Sequence, residues 1–142
     1  MKLGIIGGSG FYHLPGLDIT ERIDLDTPFG RPSATISTGN LGATEIVFLP
    51  RHGGGHIHPP SMLPYRANVY ALKQLGVTHL LSINAVGSLS EQLPPLTLVL
   101  PDQIIDRTTL RDRSFFDDGI VAHVGIADPF CAGFSAQIAR AS

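Results

Sequence analysis

Apolar residues fall in short runs punctuated by glycine and proline, a pattern that predicts alternating strands and helices. Residues 3–6 form an apolar run closed by Gly7-Gly8-Ser9-Gly10, which predicts a buried strand entering a glycine loop. Residues 33–37 and 44–49 are strand candidates, and Gly39-Asn40-Leu41-Gly42 between them has turn chemistry, so a hairpin is expected. Over residues 65–75, Tyr65, Val69, Leu72 and Leu75 recur near helical spacing, with Ala67 and Ala71 beside them. Gly76 is well placed to end that helix. Residues 77–83 predict another buried strand, leading into Asn84-Ala85-Val86-Gly87-Ser88. Residues 96–100 predict a further strand stopped by Pro101, and residues 130–141 predict a helix.

This order predicts one α/β domain over residues 1–142, with a mixed central sheet flanked by helices and no internal repeat or linker. The polar loops at residues 7–10, 51–58 and 84–88 each follow a predicted strand. Ligands of open α/β sheets gather at the carboxyl ends of strands, so the three loops converge on one ligand if their strands run parallel.

Composition narrows the function classes. A chain of 142 residues is long enough for a sizeable core. The net charge of -2, with no run of like charges, argues against a nucleic-acid partner. The opening Met1-Lys2-Leu3-Gly4-Ile5-Ile6-Gly7 is too short and glycine-broken for a signal peptide or membrane span. Cys131 is the single cysteine, which fits a reduced, cytoplasmic setting. Charged residues make up only 15% of the chain, against roughly 25% in ordinary soluble domains. That scarcity suggests apolar surface covered by a partner subunit or by further polypeptide.

Each loop admits more than one chemistry. The glycines of Gly7-Gly8-Ser9-Gly10 let backbone N–H groups approach an anion, and Ser9 adds a hydroxyl, although a plain tight turn explains the glycines equally well. The dinucleotide fingerprint fails because His13 stands where it needs glycine, and no Gly-Lys-Ser/Thr follows to make a P-loop. Arg51 and His52 suit phosphate oxygens through a planar guanidinium and a neighbouring donor. His52, His56 and His58 also suggest a metal, but no Cys, Asp or Glu lies between residues 46 and 90 to complete the site. Arg51-His52-Gly53 further matches the tripeptide of histidine phosphatases, in which His52 would be the phosphorylated nucleophile. The small residues after Asn84 let main-chain groups face a ligand or simply end a strand. His123 reads first as an ordinary packed histidine.

Taken together and in order, GIIGGSGFY, DTPFGRPS, FLPRHGGGH, YRANVYALKQLGV, SINAVGSL, PDQIIDRTTLRDRSFF and AHVGIADPFC resemble the purine nucleoside phosphorylase family, in its 5′-methylthioadenosine phosphorylase branch. The resemblance implies a nucleoside phosphorylase-like fold and phosphate-dependent cleavage of an N-glycosidic bond. The products would be a free purine and a ribose 1-phosphate, in purine and methionine salvage. It implies inorganic phosphate as co-substrate with no metal or other cofactor, a small-molecule nucleoside as partner, no nucleic acid or membrane, and a homotrimer. Carried over by motif, Ser9, Arg51, His52, Asn84 and Ala85 would bind phosphate, with His56 and His123 lining the substrate pocket.

Two departures stand out. Pro64 replaces the family's usual asparagine before the tyrosine, and Pro95-Leu96-Thr97 replaces its usual Pro-Gly-Asp. The resemblance covers about the N-terminal half of a family member; the other half supplies the acids that recognise and protonate the purine. No catalytic acid is therefore assigned. The chain by itself is expected to bind phosphate or nucleoside with little or no phosphorolysis.

Overall fold

A computed structural model of the chain describes residues 1–55 and 57–141. It forms two compact units, Met1–Val86 and Gly87–Ser142. The first contains strands β1 (Lys2–Gly7), β2 (Asp18–Ile23), β3 (Ile36–Leu41), β4 (Thr44–Pro50), helix α1 (Tyr65–Gln74) and strand β5 (His79–Ile83). The second contains helix α2 (Ala132–Ala141).

The five strands form one mixed sheet in the order β2-β3-β4-β1-β5. β1 runs parallel to both β4 and β5, whereas β3 is antiparallel to β2 and β4. Alternation along the strands gives the sheet two apolar faces. On one face Ile6, Val47 and Leu49 pack with Ile36 and with Ala71 and Leu72 of α1. On the other, Ile5, Ile46 and Phe48 are covered by Phe11, Leu14 and Leu17 from the loop after β1. Phe11 meets Phe48 edge-on, with ring centroids 5.8 Å apart.

The end of α1 explains how the chain turns into β5. Gly76 adopts φ +80°, its N–H donates to Lys73 C=O, and the Val77 N–H donates to Leu72 C=O. This is a Schellman motif, and its left-handed residue favours glycine. At the other end, Pro64 occupies the cap and the helix begins with no side-chain cap. Proline offers no side-chain acceptor there, unlike the Ser, Thr, Asp or Asn that usually cap a helix.

The structure revises two expectations and adds a strand. The strand expected at residues 33–37 lies at Ile36–Leu41, so Gly39 and Asn40 belong to the ladder and the reversal is made at Gly42, with φ +58°. Gly39 is needed there because a Cβ would lie 2.1 Å from Asp18 C=O, beside the bulge between Ile19 and Glu21. β2 reads Asp18-Ile19-Thr20-Glu21-Arg22-Ile23 and has no apolar signature; it is an exposed edge strand defined by pairing with β3. Finally, residues 96–100 form no strand. Leu96 stands at φ +74°, in a turn closed by the Thr97 N–H on Pro94 C=O at 3.2 Å. A leucine costs about 1–2 kcal/mol in this left-handed backbone.

Candidate functional site

Parallel pairing aligns three strand ends on one rung. Gly7 of β1 is in register with Pro50 of β4 on one side and Ile83 of β5 on the other. The next residues, Gly8, Arg51 and Asn84, therefore leave the sheet side by side. Two backbone bonds tie them together: the Arg51 N–H donates to Gly7 C=O at 3.0 Å, and the Gly8 N–H donates to Ile83 C=O at 2.9 Å. The three predicted loops do meet at one carboxyl edge.

Gly8 allows this approach. A Cβ on it would lie 2.6 Å from Ile83 C=O, 3.2 Å from Arg51 Nη2 and 3.4 Å from Asn84 Cα. Gly7 is equally constrained, since its Cβ would fall 2.1 Å from Phe11 C=O. Beyond them, the Phe11 N–H closes a turn on Gly8 C=O at 3.0 Å, with Gly10 at φ +82°. Turns of this kind require a left-handed third residue. Ser9 is exposed within that turn.

Arg51 spans the rung. Its Nε donates to His52 Nε2 at 3.1 Å, and its Nη1 donates to Asn84 Oδ1. Asn84 is held in turn, its Nδ2 donating to Ser82 C=O at 3.2 Å and Ser82 Oγ at 3.1 Å. Neither of the ion pairs Lys2–Glu45 and Arg31–Asp26 involves Arg51, which has no carboxylate partner among the described residues. A half-buried guanidinium held by neutral acceptors keeps its full charge for an incoming anion.

His52 is 2% exposed. Its Nδ1 lies 2.9 Å from His58 C=O, and the His58 N–H donates back to His52 C=O at 3.2 Å. Gly53 fits only as glycine: it has φ +76°, and a Cβ would lie 3.0 Å from Ser33 C=O and 2.9 Å from an Ile57 methylene carbon.

Below the loop is a buried polar support. The Ser33 N–H donates to Asn68 Oδ1 of α1 at 2.8 Å. Ser33 Oγ donates to Pro50 C=O at 3.2 Å, immediately before Arg51. Ser33 and Asn68 are 5% and 2% exposed.

The structure thus joins Arg51, His52 and Asn84 by hydrogen bonds, while Ser9 and Ala85 are the exposed residues next to Gly8 and Asn84. His56 lies outside the described residues. His123 belongs to the Gly87–Ser142 unit, where it is exposed. Sequence reasoning missed Gly8 as the contact point, Ser82 as the anchor of Asn84, and Ser33 with Asn68 as the support. Gly8 was signalled by the glycine run. Ser33 and Asn68 carry no spacing signal, because the groups they meet, the Pro50 carbonyl and the Ser33 amide, are distant in sequence; Ser82 stands only two residues before the side chain it holds.

Among the described residues no helix is long and apolar enough to cross a membrane. The model of the Phosphorylase superfamily matches residues 2–142. The S-methyl-5′-thioadenosine phosphorylase of Prochlorococcus marinus is 51% identical over 139 residues, covering 98% of this chain and 44% of that protein. That of Rhodospirillum rubrum is 53% identical over 130 residues, covering 92% of this chain and 44% of its own length. Among solved structures, a methylthioadenosine phosphorylase from an antarctic soil metagenomic library superimposes with a TM-score of 0.92 at 50% identity, covering 98% of this chain and 48% of that one. The Schistosoma mansoni methylthioadenosine phosphorylase in complex with tubercidin gives 0.93 at 43%, covering 99% and 51%. The chain spans about half the length of these relatives. A family match over both units, together with a rung of three loops on a mixed sheet, shows that the chain belongs to the phosphorylase superfamily.

Proposed function

We propose that this chain carries the phosphate-binding half of a nucleoside phosphorylase acting on 5′-methylthioadenosine or a close purine nucleoside. The observation that carries the reading is Arg51, a guanidinium without a carboxylate partner among the described residues, aimed across the loop at Gly8 between His52 and Asn84. In the reaction, a phosphate oxygen bonds to C1′ as the bond from C1′ to the base nitrogen breaks. The base leaves with the electron pair and takes up a proton. Phosphate held beside the sugar stabilises the positive charge that develops on the ribose. Arg51, the amides after Gly7 and the Ser9 hydroxyl would hold that phosphate, with Asn84 and Ala85 completing its ribose side. The names of the relatives support the choice of nucleoside. In this reading the protein needs inorganic phosphate and no metal or organic cofactor, and it works as a cytoplasmic homo-oligomer in purine and methionine salvage.

A second reading is a phosphate- or nucleoside-binding piece that does not turn over by itself. The chain's span of about half its relatives is consistent with this reading as with the first. A phosphohistidine mechanism is disfavoured because the His52 ring is buried and both of its nitrogens are engaged. The test is adenine release from methylthioadenosine by the protein with and without inorganic phosphate. Phosphate-dependent release, weakened about tenfold to a hundredfold in Arg51→Ala through loss of charge-assisted hydrogen bonds, is the expected result. Release that ignores phosphate would exclude the reading. Phosphate binding without release would assign the protein to the second.

A further inference from the structure

We infer that Ser33 is a positioning residue for phosphate: it sets the turn that carries Arg51 and His52, and α1 holds Ser33 in place. The inference rests on the phosphate-binding reading above. It starts where the sheet stops. β3 pairs with β4 only as far as Ser37 with Phe48, so no rung of β3 reaches Pro50. Proline has no N–H to offer, and its carbonyl still needs a donor as β4 gives way to the loop. Two donors reach it. The Ser33 hydroxyl donates at 3.2 Å, and the Gly53 N–H donates at 3.1 Å.

The second bond closes a four-residue turn from Pro50 to Gly53, with Arg51 and His52 at its central positions. Ser33 meets both ends of that turn. Its hydroxyl takes Pro50 C=O, and its own C=O lies where a Cβ on Gly53 would come within 3.0 Å. Its N–H donates to Asn68 Oδ1 of α1 at 2.8 Å. Ser33 and Asn68 are both buried. The hydroxyl proton of Ser33 is given to a carbonyl, so its service to phosphate is to hold the turn. A turn fixed in advance loses less entropy when its side chains close on an anion.

Ser33→Ala tests this in the protein, because it removes the hydroxyl and leaves the N–H for Asn68. The KM for inorganic phosphate should rise about three- to tenfold while the nucleoside KM moves less than about twofold. Hydrogen exchange of the Gly53 amide should quicken, with the core amides of β1 and β4 unchanged. An unchanged phosphate KM, or an equal rise in both KM values, would reduce Ser33 to a stabilising residue and overturn the inference. A raised phosphate KM with Gly53 protection unchanged would mean that the hydroxyl acts on phosphate directly; that overturns the inference and leaves the phosphate reading intact. Nucleoside cleavage by the unmodified protein that ignores phosphate would overturn both.

Discussion

In Met1–Val86, the side chains of Ile36, Ile46, Leu49 and Leu72 are fully buried; in Gly87–Ser142, Leu89 and Leu96 are fully exposed, and Ile105, Leu110, Val121 and Val124 nearly so. Both units are rich in aliphatic residues. They differ in the range of their pairings. The first unit joins residues far apart in sequence, Ser33 to Asn68 and Arg51 to Asn84. In the second, most side-chain hydrogen bonds close short turns: Ser88 with Ser90, Asp106 with Thr108, Ser114 with Phe116. Local turn chemistry shapes a chain without burying it. Burial requires a sheet or helix face on which an apolar residue can be covered.

The largest predicted effect opposes one leucine to another. Leu72→Ala should destabilise Met1–Val86 by about 2–5 kcal/mol through lost burial and the cavity left under α1. Leu89→Ala, at an exposed position, should stay within about 0.5 kcal/mol. Denaturant unfolding of both variants measures the contrast. Equal losses would show that Leu89 is covered in solution and that the two units do not differ as described.

Next comes the buried polar support. Asn68→Ala leaves the Ser33 N–H buried without its acceptor, which costs about 1–3 kcal/mol. Because Ser33 also holds Pro50 C=O, the same variant should weaken inorganic phosphate binding by loosening the Arg51 loop. A stability loss without any change in phosphate affinity would separate the support from the site.

These residues also show why sequence reading went only part of the way. β1, β4, α1 and the loops after the strands were legible because apolar runs, helical spacing and glycine placement report local geometry. Residues 96–100 carry the same kind of apolar run as β1, yet β1 has strands on both sides and residues 96–100 have no ladder among the described residues. A run predicts a strand only where something pairs with it. β2 is the converse, a polar segment made into a strand by its neighbour. At the site, Arg51 and Asn84 were legible as residue types after strands. The anchoring of the His52 ring was not, because it depends on the carbonyl of His58.

A smaller effect concerns Leu96. Leu96→Gly should relieve about 1 kcal/mol of left-handed strain, less the extra entropy that glycine loses on ordering. The expected sign is increased hydrogen-exchange protection of the Thr97 amide, which donates to Pro94 C=O. Core amides of β1 and β4 should be unmoved, since the strain is confined to the second unit. Lower protection at Thr97 would mean that the leucine side chain stabilises the turn by some contact in solution.

The smallest predicted effect lies at Asp106, where the second unit's short-range order is best defined. Its carboxylate accepts the Thr108 hydroxyl at 2.7 Å and the Thr108 N–H at 2.8 Å. The Thr108 hydroxyl, then its amide, hold Asp106 below the usual carboxylate pKa, with smaller help from the charges of Arg113 and Arg111. A pKa lowered in the folded turn means that the turn's stabilisation is fully present above the ordinary aspartate value. It is lost as pH falls through the folded one. Asp106 is fully exposed to solvent, so only the local turn should respond while the sheet of Met1–Val86 is unaffected. An NMR titration of the Asp106 carboxyl should show its midpoint moving up toward the ordinary aspartate value in Thr108→Ala, which removes the larger of the two bonds. A midpoint unchanged by that substitution would assign the depression to the Thr108 amide and the arginines rather than to the hydroxyl.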